Sequence, residues 1–447
     1  MSNPCVSMIP RGGEEKKQDG EYEEIGHLLS MGQVTPSPTP FEAVTKLDLF
    51  QCNLSALPES LSDLLPNLSI LFCMKNKFTE VPAVIGQCNK LQMVSFKSNN
   101  ITSIHPDALA PQMRWLILTD NSLTEIPSTI GRCSSLQKLM LSGNAIKSIP
   151  GDIKYCRKLE LVRLASNNLN EPPMALLGLP NLAWVALSDN PFLRHHCHSI
   201  FEDVSELKVL DDESLDSPEI GEVLGTGASG ITHKKTLNGV HVAVKKYAGN
   251  ITSDGNPEEE RRISLLASGL DCDCLIDVLG ETSKGSLVME LLTDVVAFAD
   301  PPSLESCSRD IYKTEDCLTP ENAMKMVSGL LDALVKLHSS GVCHGDFYGH
   351  NILIKSEGDF SVKLTDFGAA FVYDQSSDYS SLIERIEMRA FSHLINEIRA
   401  LVLKTQCNAV DGKPSVPQLL TDLLDVSGMA EGEASFSQMQ AKWVELT

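Results

Sequence analysis

Between residues 44 and about 210, apolar positions recur in one figure. Two lie three apart, a third follows two later, then comes an Asn or Cys, then a further apolar residue. Val44, Leu47, Leu49, Cys52 and Leu54 make the first copy; Leu159, Val162, Leu164, Asn167 and Leu169 make a later one. The figure restarts at 44, 68, 91, 113, 136, 159 and 182, in steps of 24, 23, 22, 23, 23 and 23. Apolar residues two apart predict a short strand with one buried side. A single copy cannot bury that side alone, so the period predicts stacked turns, that is, a solenoid. The recurring Asn is expected to form an internal ladder that bonds neighbouring turns. Pro58, Pro82, Pro127, Pro150 and Pro173 mark the return path after each strand. The positions between the apolar ones, among them Lys46, Asp48, Trp115, Lys138, Arg163 and Trp184, are predicted to stand on an open concave face.

The pattern changes on both flanks. Residues 1–43 are polar and carry Thr35-Pro36-Ser37-Pro38-Thr39-Pro40, a composition expected to stay disordered as a tail. The first twenty residues lack the apolar core of a secretory leader, and Ser2 is not the Gly that myristoylation needs. From about 218 onward strands precede helices. Gly225, Gly227 and Gly230 lie just before an alternating run, Asn238-Gly239 signals a tight hairpin, and Val242-Ala243-Val244-Lys245 ends a further strand. The run from Glu258 to Leu270 reads as a helix opened by three glutamates, Ser286–Leu292 as a strand, and Pro320–Ser339 as a long amphipathic helix.

Composition narrows the function classes. In 447 residues, 37 Lys+Arg stand against 59 Asp+Glu, a net charge of -22. Such a surface repels phosphate backbones and anionic lipid heads, which argues against nucleic-acid or membrane-surface partners. From 218 onward 19 basic residues face 34 acidic ones, so a basic substrate segment would be attracted. No run reaches the roughly 18–20 apolar residues of a membrane span. The 13 cysteines show no paired spacing and read as reduced thiols of a cytoplasmic protein. Arg194-His195-His196-Cys197-His198 follows the last repeat and reads as a polar cap rather than a metal site.

The repeat L-x-x-L-x-L-x-x-N-x-L, with its near-constant 23-residue period, resembles the intracellular leucine-rich repeat proteins. The second half resembles a protein kinase. Its glycine stretch and V-A-V-K strand match the nucleotide lobe. His344-Gly345-Asp346, with Asn351 five residues on, is similar to the catalytic loop H-R-D-x-x-x-x-N, and Asp366-Phe367-Gly368 is the D-F-G of the family. The resemblance implies an α/β leucine-rich repeat solenoid at 44–210 followed by an α+β two-lobed protein-kinase-like domain at 218–447. It also implies ATP and Mg²⁺ as cofactors and a protein hydroxyl, Ser/Thr, as acceptor. Leu224, Gly225, Thr226, Gly227, Ala228, Ser229, Gly230, Thr232 and Ala243 would line the nucleotide. Lys245 would grip its α and β phosphates, paired with one of Glu258, Glu259 and Glu260. Of these Glu260 is favoured, because apolar Ile263 follows at +3, as after the paired Glu of the family. Met289 would be the gatekeeper, with backbone at Glu290 and Leu292 on the adenine edge. Asp346 would take the hydroxyl proton, Asn351 and Asp366 would hold Mg²⁺, and His344 and Phe367 would stack in an internal spine.

Three residues or segments depart from the family. Gly345 replaces the Arg that receives a phosphorylated activation segment. Tyr348 replaces the catalytic-loop Lys. No A-P-E follows D-F-G before the next helix, expected near Glu384, in which Glu387 stands for the family's Asp. The platform for a peptide is thus expected to be short. An active kinase with the repeats as a protein-binding scaffold is the leading reading. A pseudokinase acting as an interaction module is one alternative. A small-molecule phosphotransferase is the other, since H-G-D-x-x-x-x-N also resembles aminoglycoside and choline phosphotransferases.

Overall fold

The computed structural model describes residues 7–10, 41–194, 209–210, 215, 221–227, 229–247, 249, 251–313, 317–355, 358–404, 415–428 and 434–447. Two compact units divide the chain, one ending at Leu182 and the other running from Ala183 to Thr447.

In the first unit the repeat figure becomes a parallel sheet. Strand Val44–Asp48 is followed by Ile70–Phe72, Met93–Ser95, Trp115–Ile117, Lys138–Met140 and Leu161–Arg163, each paired in register with the next. The register aligns Leu47, Leu71, Val94, Leu116, Leu139 and Val162 in one row, and all six are buried. The ladder of asparagines lies behind them. Asn76 donates to Leu49 O at 2.8 Å, Asn99 to Cys73 O at 2.9 Å, Asn144 to Leu118 O at 3.0 Å and Asn167 to Leu141 O at 3.0 Å. Each amide oxygen accepts in turn from a backbone N–H of the preceding turn, as Asn167 does from Ile146 at 3.0 Å. The amides therefore satisfy backbone groups that no regular ladder reaches. Return paths are short helical turns, three of them begun directly after Pro127, Pro150 and Pro173.

Two features of this unit differ from the expectation. Ser7–Pro10, within the segment read as a tail, forms a strand antiparallel to Val44–Asp48. The first repeat strand has an open edge with unpaired backbone groups, and an extended segment satisfies them. On the face read as open, Trp115 and Arg163 are buried, whereas Lys46, Asp48 and Lys138 are partly exposed. The Lys138 ammonium lies 4.6 Å from the Trp115 ring centroid, a cation–π contact that covers the indole.

The second unit is α+β. Its six-stranded sheet runs in the order Val209–Leu210, Val278–Thr282, Leu287–Glu290, Val240–Tyr247, Gly230–Leu237, Val223–Gly227. Asn238 and Gly239 both adopt left-handed φ, 51° and 85°, the requirement of the tight turn their identity predicts. Helix Pro257–Ser268 starts where Asn256 accepts the Glu258 amide at 2.8 Å, with Pro257 in the first turn. The helical lobe is built on Pro320–Ser339 and Ser380–Lys404, followed by Val416–Ser427 and Phe436–Leu446. The helix expected near Glu384 thus begins four residues earlier. Between Gly368 and that helix the chain forms one short strand, Phe371–Val372, paired with Val342–Cys343.

The cysteines described are free. Burial pushes the thiols of Cys88 and Cys156 up to about 11, which leaves them inert small apolar groups. Among the described residues no helix is long and apolar enough to cross a membrane. His195, His196, Cys197 and His198 lie outside the described residues; Arg194 pairs with Asp189 at 3.1 Å.

Candidate active site

Alternation along strand Val240–Tyr247 puts Lys245 on the face opposite Val244, which packs in an apolar cluster with Val242 and Val288, and the Lys245 side chain is 12 % exposed. There its Nζ lies 2.6 Å from Glu260 Oε1 and 3.2 Å from Asp366 Oδ1. Of the three glutamates that open helix Pro257–Ser268, Glu260 alone is buried, while Glu258 and Glu259 reach Arg262 at 3.0 and 3.5 Å. Helical spacing accounts for the choice. Glu260 shares its face with buried Ile263, Ser264 and Ala267, at three, four and seven residues on.

Electrostatics follow from this packing. Burial alone would lower the Lys245 ammonium, but Asp366 and Glu260 outweigh it and hold it above its usual range. Burial also works against the Asp366 charge, yet the Lys245 ammonium beside it keeps the carboxyl below the usual carboxylate range. Burial pushes the Glu260 carboxyl up to about 7; the Lys245 charge opposes the rise and the Asp366 charge adds to it. The ionised form is the one that anchors Lys245, so any phosphoryl transfer by this site should fall on the acid side, with a limb near pH 7. Glu260→Gln should give low activity that is flat between about pH 6 and about pH 8. A pH–rate profile checks this, and an unchanged acid limb in the Gln variant would assign the limb to another group.

Asp346 and Asn351 meet across the turn that links them. Asn351 Nδ2 donates to Asp346 Oδ2 at 2.8 Å and to Asp346 O at 2.9 Å. The two amide hydrogens are thereby spent, and the Asn351 oxygen remains as the donor a cation would take. The Asn351 carbonyl accepts from the Thr365 amide and hydroxyl, each at 2.9 Å, which ties this turn to Asp366. Asp366 has φ of 59°, and its side chain is 43 % exposed. A carboxylate and an amide oxygen are hard donors of the type Mg²⁺ selects, so the residues present fit that ion.

The loop is anchored from below by Glu387. Its carboxylate accepts from the amides of His344 at 3.1 Å and Gly345 at 2.7 Å, and from His338 Nε2 at 2.7 Å. Burial opposes this charge, but the bond from His338 and its neighbours keep Glu387 below the usual range. The His344 and Phe367 rings lie 4.9 Å apart, both buried.

The remaining sequence-derived residues divide as follows. Leu224, Gly225, Thr226 and Gly227 are exposed on strand Val223–Gly227, and Ser229 and Gly230 are buried at the turn. Thr232 pairs with Lys245 across the hairpin, and Ala243 pairs with Met289. Ala228 lies outside the described residues. Met289 is buried, Leu292 is partly exposed, and the Glu290 carboxylate accepts from Lys363 at 2.6 Å. Sequence reasoning missed the partners of Tyr348. Its ring is stacked at 4.2 Å on Trp184, a residue predicted to stand on an open face and in fact buried in the second unit.

Residues 219–390 match the model of the protein kinase domain, and residues 111–169 match that of the leucine rich repeat. A putative serine/threonine-protein kinase of Acanthamoeba polyphaga mimivirus is 27 % identical over 188 residues, 41 % of this chain and 32 % of that protein. The serine/threonine-protein kinase PknB of Mycobacterium tuberculosis is 29 % identical over 158 residues, 35 % of this chain and 24 % of that one. The cytokinesis protein sepH of Aspergillus terreus is 32 % identical over 174 residues, 38 % of this chain and 11 % of that one. The chain thus spans between about a tenth and a third of the length of these curated relatives.

Proposed function

We propose that this chain, a leucine-rich repeat region followed by a protein kinase domain, transfers the γ-phosphate of ATP to a serine or threonine hydroxyl of a protein. The repeats would recruit that substrate or a regulator. The observation that carries the reading is the position of Lys245, whose ammonium lies within 3.2 Å of carboxylates from both the helix Pro257–Ser268 and the Asp366-Phe367-Gly368 turn. A buried ammonium with two carboxylates has little use in a purely structural core, where an apolar group of similar volume would serve at lower desolvation cost. Retention of Asp346 and Asn351, on the turn that Thr365 ties to Asp366, supports a catalytic role over a binding module.

The chain's own residues would divide the work. Lys245, kept charged by its carboxylates, would neutralise the triphosphate and fix it. Mg²⁺ held by Asn351 and Asp366 would offset charge on the phosphate oxygens. Asp346, steadied by the Asn351 amide, would orient the acceptor hydroxyl and take its proton as the bond from that oxygen to the γ-phosphorus forms and the bond to the departing ADP oxygen breaks. Little else is needed, because in-line phosphoryl transfer is catalysed mainly by position and charge.

Incubation of the full chain with Mg²⁺, labelled ATP and a panel of basic and acidic proteins tests the reading. Label on Ser or Thr of a protein is the expected result. Label on an added aminoglycoside or choline would make it a small-molecule phosphotransferase, and nucleotide binding without any transfer would make it an interaction module.

A further inference from the structure

Strand Trp184–Ala186 belongs to the second unit and lies against the loop that carries Asp346. Trp184 is 1 % exposed. Its Nε1–H donates to the carbonyl of Phe347, the residue after Asp346, at 2.9 Å. Its ring lies parallel to that of Tyr348, 4.2 Å away at 5°. His393 stacks at 5.4 Å and the Arg309 guanidinium lies 5.3 Å from the indole centroid. Burial, with Arg309 adding to it, pushes His393 down to about 4, so near neutrality this ring is uncharged.

The neighbouring residue of the same strand accounts for Gly345. Gly345 has φ of 73°, and a Cβ there would lie 2.4 Å from Val185 O and 2.7 Å from Ala369 O. A side chain at 345 is therefore excluded twice, by left-handed backbone and by two carbonyls. The place where the kinase resemblance implies an Arg is filled by the backbone of strand Trp184–Ala186. The loop is thus gripped on two sides. Glu387 takes the amides of His344 and Gly345, and Trp184 takes the carbonyl of Phe347 and the ring of Tyr348. Asp346 sits between the two grips.

We propose that Trp184 is a positioning residue for phosphoryl transfer, fixing the catalytic loop so that Asp346 is presented without a phosphorylated activation segment. The proposal rests on the kinase reading of the site. Trp184 acts through the carbonyl of Phe347 and the ring of Tyr348, the two residues that follow Asp346. A displacement of the base by about 1 Å is enough to lower turnover about a hundredfold.

The test uses the full chain. Trp184→Ala should lower kcat by about tenfold to a hundredfold while KM for ATP stays within about twofold. Trp184→Phe keeps the stack on Tyr348 and loses only the N–H donor, so it should recover a large part of the loss. Activity is expressed per folded molecule, from the unfolding curve of each variant. Phosphatase treatment of the wild type should leave its rate unchanged. A Trp184→Ala rate per folded molecule equal to wild type, or a wild-type rate lost on phosphatase treatment, overturns the proposal. If the wild type shows no transfer at all, the kinase reading fails separately, and amide exchange decides the grip alone. Faster exchange at 345–349 in Trp184→Ala, with the sheet Val223–Glu290 unchanged, supports it; equal exchange there refutes it.

Discussion

Asp346→Asn should lower phosphoryl transfer by about 10²–10⁴-fold while leaving ATP affinity within about twofold. The substitution is nearly isosteric, and an amide oxygen at 346 can still accept the Asn351 Nδ2 bond now made at 2.8 Å. Loop geometry is therefore preserved, and what disappears is the anion that, on the proposed function, would orient the acceptor and receive its proton. The contacts of Lys245 with Glu260 at 2.6 Å and with Asp366 at 3.2 Å are kept. Stopped-time transfer assays beside equilibrium nucleotide binding make the comparison. A variant that retained turnover within about fivefold of wild type would remove Asp346 from the role of base.

The periodic parts of this chain are readable before any coordinates. Residues of one type at fixed spacing leave few alternatives, and the row from Leu47 to Val162 and the ladder from Asn76 to Asn167 fall in register as the 23-residue step requires. The helix Pro320–Ser339 was equally legible, because Thr319 caps it by accepting the Asn322 amide at 3.2 Å and Pro320 starts it. What carries no sequence signal is left-handed backbone at ordinary residues. Gln51, Lys75, Ser98, Asp120, Gly143, Ser166 and Asp189 all have positive φ at the repeat period, and only one of them is Gly. Each turns the chain just after a strand, one residue before the Asn of its repeat in all but the first. Stacking of neighbouring turns fixes the conformation, and local propensity does not announce it.

The site was legible in its chemistry but not in its supports. Glu260 could be chosen from three adjacent glutamates by the +3 apolar residue, since that spacing marks one face of a helix. Trp184 could not. Its position in the repeat assigns it to an outward face, and contacts with Arg309, Phe347, Tyr348 and His393, far along the chain, bury it. Gly345 was visible as a departure from the kinase pattern, yet its cause, the approach of Val185 O, lies equally far along the chain. Long-range contacts of this kind leave no periodic trace.

Lys245→Met should cost activity about a hundredfold or more, and its effect on stability should depend on pH in a way that identifies its partner. Removing the ammonium leaves Glu260, 4 % exposed in its side chain, as a buried carboxyl beside Asp366. At high pH that leaves an unpaired buried charge, a loss of about 3–5 kcal/mol. At low pH Glu260 takes up a proton and the penalty disappears. Its carboxyl, already pushed up to about 7 with Lys245 present, must rise further without it. A group whose folded pKa exceeds its unfolded value binds more protons when folded, so stability is lost as pH rises through the folded value. Lys245→Met should therefore unfold at lower temperature at about pH 9 than at about pH 6 by a wider margin than wild type. The double variant Lys245→Met/Glu260→Gln should abolish that extra slope, because the neutral amide has no charge to strand. Equal pH slopes for the single and double variants would mean that the Lys245–Glu260 contact carries no coupling. The ammonium would then have to owe its position to Asp366 alone.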